Sequence, residues 1–299
     1  MTLSIVIVSY NARADLERCL ASLSAHPPAM PHDVIVVDNA STDGSLLGLA
    51  SVHPAVEIIQ NVRNVGYARA VNQGLLASRG QYAVVVNPDV VLQPSAMSQL
   101  MHFMASHPDA GLAGPRLFDA DGRVQGSARR DPSVWTGLFG RVAPLTRLFP
   151  NNPISRRELP ALSVVRDDAV RVDWVSGACI VARRTAWEQA GLLDERFFLF
   201  WEDADWGRRV RQAGWGVYYV PSARGTHVVG ISRAGRRLAS VVDFHRSAHR
   251  YYCKHHGIST LHPRAMLVGT GLLASLVLRL VQASWPSRRG DSAPTRAAS

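Results

Sequence analysis

The residues best suited to chemistry in this chain are acids that each follow an apolar run. Asp38 ends Val34-Ile35-Val36-Val37, and Asp89 closes Asn87-Pro88-Asp89 after Tyr82–Val86. Glu202-Asp203-Ala204-Asp205 follows the bulky stretch Phe197-Phe198-Leu199-Phe200-Trp201, and His227 lies just beyond Pro221. A carboxylate after a buried strand is a hard oxygen ligand. It suits a divalent cation that bridges a diphosphate and keeps few protein ligands. Alone, it would serve equally as a cap for the next turn. Asp38 could accept a hydrogen bond from a pyrimidine N3–H. Acids at a helix start can simply complement the helix dipole. Behind five apolar residues, however, a partly desolvated carboxylate has a raised pKa and becomes a usable base for a substrate hydroxyl. His227 could bind a metal through neutral imidazole, or be structural.

Strands and helices must alternate to position these residues. Leu3–Ser9 reads as a buried strand, and Leu16, Cys19, Leu20 and Leu23 recur at helical spacing. The Val34–Val37 run is a second strand. In the polar turn 39–44, Ser41 or Asp43 is expected to cap the following short helix. Val56–Gln60 and Tyr82–Val86 read as strands, Ala68–Ser78 and Pro94–Ser106 as helices. Such alternation predicts a parallel sheet covered on both faces, with ligands at the carboxyl ends of the strands. Ser9-Tyr10-Asn11, Asp38 and Asp89 then share one edge. From Gly111 to Asp173 glycine and proline break the pattern, which predicts hairpins and a long, partly mobile segment. Order resumes at Trp174–Val181, with helices at Arg184–Ala190, at 202 to about 213 and at Val241–His256, and a strand at Gly216–Val220.

Composition narrows the class. Hydrophobic residues make up 47% and charged residues 19% of 299 residues, which excludes a disordered chain. Cys19, Cys179 and Cys253 are odd in number and widely spaced, fitting neither a disulfide framework nor a zinc site, so a reducing compartment is expected. Met1-Thr2 leads straight into the first strand, without the basic n-region of an export signal. The net charge of +10 is uneven: from Arg224 onward, Lys and Arg outnumber acids 12 to two, and the preceding residues balance. This suits an anionic partner, or a solvated basic tail. Ala265–Leu278 is uncharged between Arg264 and Arg279. Its 14 residues would make a helix about 21 Å long, short of a hydrocarbon core of about 30 Å. That fits an interfacial helix flanked by snorkelling arginines, or an ordinary packing helix. A nucleic-acid-binding reading has only the basic quarter behind it, with no recognisable zinc finger, zipper or RNA-recognition motif. A nucleotidyltransferase would place a Gly/Arg phosphate loop where Ser9-Tyr10-Asn11 stands.

Together these blocks resemble the family-2 inverting glycosyltransferases of GT-A fold, and within them a bacterial rhamnosyltransferase branch. The blocks are SIVIVSYNA at 4–12, VIVVDNASTDGS at 34–45, NVGYARAVNQG at 64–74, VVVNPDV at 84–90, WVSGACIVARR at 174–184, FFLFWEDADWGRRVRQAGW at 197–215 and HRSAHRYYCKHHG at 245–257. The resemblance implies an α/β fold: a GT-A (Rossmann-like) mixed, mostly parallel sheet flanked by helices, with a C-terminal helical membrane-associating extension. Its divisions fall at 1–230, with a nucleotide-sugar half to about 110 and an acceptor half beyond, then a basic helical segment 231–285 and a disordered tail 286–299. Ser9, Tyr10, Asn11, Asp38, Asn64 and Gly66 would form the nucleotide pocket. Asp89 matches the metal-binding acid, with Asn87 in place of a first aspartate, and His227 matches a metal-binding histidine. Asp203 matches the general base. Trp201, Glu202 and Gly177 would lie on the acceptor side, while Asp205 would orient the helix or a basic side chain. The resemblance further implies Mg2+ or Mn2+ and a nucleotide-sugar donor, with dTDP-rhamnose favoured over other UDP-, GDP- or dTDP-sugars. It implies a polyprenyl-diphosphate-linked saccharide acceptor, while the basic C-terminal quarter and Ala265–Leu278 lead us to expect peripheral attachment to the anionic cytoplasmic face of the inner membrane and no nucleic-acid partner.

Overall fold

In the computed structural model the central strands are the continuous apolar runs of the sequence. The structure describes residues 2–132, 161, 167–228 and 237–284. They belong to two units, Met1–Gly235 and Arg236–Ser299. In the first unit, β1 (Leu3–Ser9) is buried along its whole length, as a strand covered on both faces must be. It pairs in parallel with β2 (His32–Asp38) and β4 (Tyr82–Val86), and β2 pairs in parallel with β3 (Val56–Gln60). The connections run through α1 (Arg13–Ala25), α2 (Leu49–Val52) and α3 (Tyr67–Ala77). Beyond them lie β5 (Val90–Leu92), α4 (Ala96–Ser106), β6 (Ala110–Phe118), β7 (Ala128–Arg129), β8 (Val170–Arg171), β9 (Trp174–Val175), β10 (Cys179–Arg183), α5 (Arg184–Ala190), α6 (Glu202–Gln212) and β11 (Gly216–His227). The sheet order is β3-β2-β1-β4-β10-β6-β11-β5. β10 runs antiparallel between β4 and β6, so the sheet is mixed.

Two cores cover the two faces. Ile5 and Ile7 point to one core, with Leu16 and Leu20 of α1 and Leu100, Met101 and Met104 of α4. Val6 and Val8 point to the other, with Val71 and Leu75 of α3, Trp187 of α5 and Trp206 and Val210 of α6. Each such side chain contributes about 1.5–3 kcal/mol on burial, so the crossover helices are held by packing rather than propensity. Cys19, Cys179 and Cys253 are all free and buried. Burial pushes the thiols of Cys19 and Cys179 up to about 12.

The structure departs from the sequence expectations in several places. The glycine-broken stretch after 110 contains β6, a nine-residue strand between β10 and β11. A Cβ on Gly114 would lie 2.8 Å from Val175 Cβ, so close packing, not a turn, accounts for that glycine. β11 does not stop at Val220. It passes Pro221 to His227, with a register shift between Val220 and Arg224 where the proline's missing N–H is tolerated. Asp43 does not cap the next helix either: its Oδ2 accepts the Arg13 N–H at 2.9 Å, at the start of α1. Ser41 Oγ accepts the Asn11 N–H at 2.9 Å. Of the segment expected between 111 and 173, residues 133–160 and 162–166 fall outside the described residues, as does the tail 286–299.

The second unit is a helical hairpin of α7 (Arg237–His256) and α8 (Pro263–Ser284). His249 Nε2 lies 3.0 Å from the Ala265 carbonyl and His245 Nε2 3.2 Å from Ser275 Oγ, which registers the two helices. The helix continues past both flanking arginines to 22 residues, about 33 Å at 1.5 Å per residue. Its length therefore suffices to cross a bilayer, contrary to the estimate from the uncharged stretch alone. Met266, Leu267, Leu273, Val277 and Leu278 of α8 are exposed and recur on one helical face.

Candidate functional site

The parallel register places the strand ends side by side, with Ser9 opposite Asp38. Both are fully buried. Asp38 Oδ2 accepts the Ser41 N–H at 3.0 Å, while Asp38 Oδ1 and Ser9 Oγ have no hydrogen-bond partner among the described residues. Two orphaned polar atoms on neighbouring strand ends are costly unless a ligand satisfies them. An acceptor beside a hydroxyl matches the N3–H and carbonyl edge of a pyrimidine. Around them, Asn11, at a left-handed φ of 49°, accepts the Thr42 N–H at 2.7 Å. Asn64 Oδ1 accepts Asn39 Nδ2 at 2.9 Å and the Gly66 N–H at 3.0 Å. Tyr10 is half-buried at the rim. Gly66 has φ +90°, and a Cβ there would meet Phe198 Cδ2 at 2.8 Å and the Phe198 carbonyl at 2.9 Å. It thus fastens the Asn64 turn to the aromatic segment before α6.

Asp89 and His227 meet because β5 pairs antiparallel with the end of β11, putting His227 opposite Val90. His227 Nε2 lies 3.3 Å from Asp89 Oδ1, and both side chains are buried. His227 Nδ1 lies 2.8 Å from Gln125 Oε1, while Gln125 Nε2 donates to the His227 carbonyl at 2.8 Å. The amide orientation is therefore set by that carbonyl, and its oxygen must accept from Nδ1–H. In the neutral ring the Nε2 lone pair then faces a carboxylate oxygen 3.3 Å away, a donor pair suited to a cation. The residues fit a divalent metal with one nitrogen and one oxygen ligand from protein. No group of three or more His, Cys, Asp or Glu suited to a metal occurs among the described residues. The remaining positions would fall to diphosphate oxygens and water, a common arrangement for Mg2+. Asn87 is engaged elsewhere, since its Oδ1 accepts the Tyr67 hydroxyl at 2.9 Å.

Asp203 lies in the first turn of α6, half-buried. Its Oδ2 accepts the Gly177 N–H and its Oδ1 the Ala204 N–H, each at 2.9 Å. Burial raises its pKa, while those two amides and the Arg129 charge oppose the rise. A carboxylate whose pKa is raised by burial is a stronger proton acceptor than a solvated one. Before it, Phe200 and Trp201 adopt left-handed φ values of 67° and 71°, strain of the kind that clusters at functional sites. Glu202 is buried beside it. Asp205, fully buried, binds Arg209 Nε at 2.8 Å. Arg209 in turn donates to the carbonyls of Ala190, Gly191 and Leu192 behind α5, so Asp205 orients a structural arginine.

Two residues in this constellation were not singled out by the sequence, although Tyr67 lies within the NVGYARAVNQG block at 64–74. Tyr67 Oη reaches both Asn87 Oδ1 at 2.9 Å and the Gly177 carbonyl at 2.8 Å, and its N–H donates to the Phe198 carbonyl at 2.7 Å. Burial, then the charges of Glu202, Asp203 and Asp89, hold its hydroxyl proton on, well above the usual tyrosine range. It ties the Asp89 strand end to the Gly177 turn that holds Asp203. Gln125 is the other. Only spatial neighbours mark such residues; their nearest sequence signals are an ordinary helix start and an ordinary loop.

Comparison with known proteins identifies the family. The model of "Glycosyl transferase family 2" matches residues 4–162. The chain is 34% identical over 271 residues to an N-acetylglucosaminyl-diphospho-decaprenol L-rhamnosyltransferase of Mycobacterium tuberculosis, covering 85% of each chain. It is 25% identical to a low-salt glycan biosynthesis hexosyltransferase of Haloferax volcanii, over 70% of this chain and 62% of that one. A mannosyltransferase from Pyrobaculum calidifontis, solved in complex with GDP-Man and Mn2+, superposes with TM-score 0.59 at 17% identity, covering 95% of this chain and 76% of that one. GalNAc-T7, solved with UDP, GalNAc and Mn2+, gives TM-score 0.57 at 16% identity, over 76% of this chain and 44% of that one. With acids at the strand ends, a GT-A-like mixed sheet and these two lines of sequence similarity, the chain belongs to glycosyl transferase family 2.

Proposed function

We propose that this glycosyltransferase is a metal-dependent inverting enzyme that moves L-rhamnose from dTDP-rhamnose to a hydroxyl of a polyprenyl-diphosphate-linked saccharide. The single observation that carries the site chemistry is Asp203, half-buried and held by the Gly177 N–H at 2.9 Å. Similarity over 85% of the chain to a rhamnosyltransferase acting on a diphospho-decaprenol saccharide supports the substrate pair. Asp38 Oδ1 and Ser9 Oγ would read the pyrimidine edge. Asp89 and His227 would hold Mg2+ or Mn2+, which would supply positive charge to stabilise the departing diphosphate. The Gly177 turn, Trp201 and Glu202 would border the acceptor hydroxyl. Asp203 takes that hydroxyl's proton as its oxygen forms a bond to the anomeric carbon. The anomeric carbon–oxygen bond to the diphosphate breaks, and the electron pair leaves with the diphosphate. One displacement inverts the configuration and needs no covalent sugar–enzyme intermediate. Positioning and fixed charge supply the catalysis.

The exposed apolar face of α8 and the basic C-terminal quarter support attachment to the anionic cytoplasmic face of the inner membrane. Fractionation of cells expressing the full chain and a chain ending at Gly257 tests this; equal solubility of the two would refute it. The substrate proposal is tested by a mass-spectrometric screen of dTDP-, UDP- and GDP-sugars against a polyprenyl-diphosphate-linked N-acetylglucosamine acceptor. Preferred transfer from dTDP-rhamnose is expected. Preferred transfer of another sugar would overturn the donor assignment and leave the family intact.

A further inference from the structure

The Asp89–His227 pair works as a cation site only if His227 keeps its proton on Nδ1 and aims the Nε2 lone pair at Asp89. We propose that Gln125 is the positioning residue that enforces this tautomer and ring orientation. The inference rests on reading Asp89 and His227 as ligands of a divalent cation. Gln125 grips His227 at two points: its Oε1 accepts from the ring Nδ1–H and its Nε2 donates to the His227 main-chain carbonyl, both at 2.8 Å. The two contacts are complementary. A carbonyl can only accept, so the amide nitrogen must face it, and the amide oxygen must face the ring. Flipping the amide breaks both bonds, and flipping the tautomer breaks the bond to the ring.

The clamp is itself fixed. The Gln125 N–H donates to the Leu117 carbonyl at 2.8 Å, and Phe118 bridges Val124 across the tight turn that follows β6. On the other side the Val228 N–H donates to the Asp89 carbonyl at 3.1 Å. The two ends of the pair are thus tied to the sheet by main-chain bonds. Only the imidazole's rotation and proton remain to be set, and Gln125 sets them. Groups that orient a metal-binding histidine typically change metal affinity 10–100-fold when removed, so an effect of about this size is expected here.

Full-length protein carrying 15N-histidine provides the test, with His227 assigned by difference from His227→Ala. At pH 8 wild type should show protonated Nδ1 and unprotonated Nε2. Gln125→Leu, which keeps the side chain's bulk and removes both bonds, should show a mixture of tautomers. Mn2+ titration followed by electron paramagnetic resonance, with dTDP present, should give a Kd raised about 10–100-fold in Gln125→Leu. Gln125→Glu keeps the ring acceptor and should hold the Nδ1–H tautomer, with a smaller loss of Mn2+ affinity. A wild-type His227 protonated on Nε2 would overturn the proposal, as would wild-type Mn2+ affinity in Gln125→Leu. Wild type that fails to bind Mn2+ at all would instead overturn the metal reading of Asp89 and His227 on which the proposal stands.

Discussion

Replacing Tyr67 with Phe removes one hydroxyl and leaves the ring. That hydroxyl has a single proton, shared between Asn87 Oδ1 at 2.9 Å and the Gly177 carbonyl at 2.8 Å. Leaving buried acceptors unpaired costs about 1–3 kcal/mol, so the Tm of Tyr67→Phe should fall by several degrees. The larger effect should be on catalysis, because the Gly177 N–H holds Asp203 at 2.9 Å. A slackened Gly177 turn lets the base drift, and a displacement near 1 Å costs about 100-fold in rate. The pH dependence fixes the sign. Burial raises the Asp203 pKa and the Gly177 amide opposes that rise. Weakening the amide contact lets the pKa climb further, so the acid limb of kcat/KM, where the base must be ionised, moves to higher pH. Differential scanning fluorimetry and pH–rate profiles of wild type and variant read both effects. A lowered Tm with unchanged kcat and an unmoved acid limb would refute the link between Tyr67 and the base.

Asp38→Asn should keep the bond to the Ser41 N–H but turn a pocket acceptor into a donor, raising the Kd for dTDP at least about 10-fold, as expected for losing a charged hydrogen bond of about 1.5–3 kcal/mol; calorimetry with an unchanged Kd would contradict it. Gly66→Ala should lose both stability and activity, because its Cβ would sit 2.8 Å from Phe198 Cδ2 on a backbone of φ +90°. A wild-type Tm and kcat would show that the Phe198 contact gives way freely. Asp203→Asn should be more stable than wild type at pH 7–8. With its folded pKa raised by burial, Asp203's favourable contribution is full below the unfolded value of about 3.9 and is lost as pH rises through the folded value. The Tm gain should therefore shrink as the pH approaches 4, and a gain independent of pH would argue against a burial-raised carboxyl.

Much of the N-terminal half is readable because β1, β4 and the end of β2 are buried and therefore written as apolar runs. β3 spans Val56–Gln60, the run that the sequence marks as a strand. The strand-end acids followed directly, and the structure brings Ser9 beside Asp38 and Asp89 beside His227. Other features depend on distant partners. β6 was hidden by Gly111 and Gly114, which are small because Trp215 and Val175 press on them. β11 was cut short at Pro221, since nothing local shows that a register shift absorbs the proline. The cap expected from Ser41 or Asp43 fails because the partner of Asp43, the Arg13 N–H, lies 30 residues back. Tyr67 and Gln125 act on residues 110 and 102 positions away, beyond the reach of any local pattern.

The central claim is that Asp203 deprotonates an acceptor hydroxyl in a single inverting displacement. It is tested by transfer from dTDP-rhamnose to polyprenyl-diphosphate-linked N-acetylglucosamine under chemistry-limited conditions, comparing wild type with Asp203→Asn and determining the product's anomeric configuration by NMR. The account predicts an inverted product and a kcat loss of about 10²–10⁴-fold in the variant, the ordinary worth of a general base. A retained configuration, or wild-type turnover by Asp203→Asn, would contradict it.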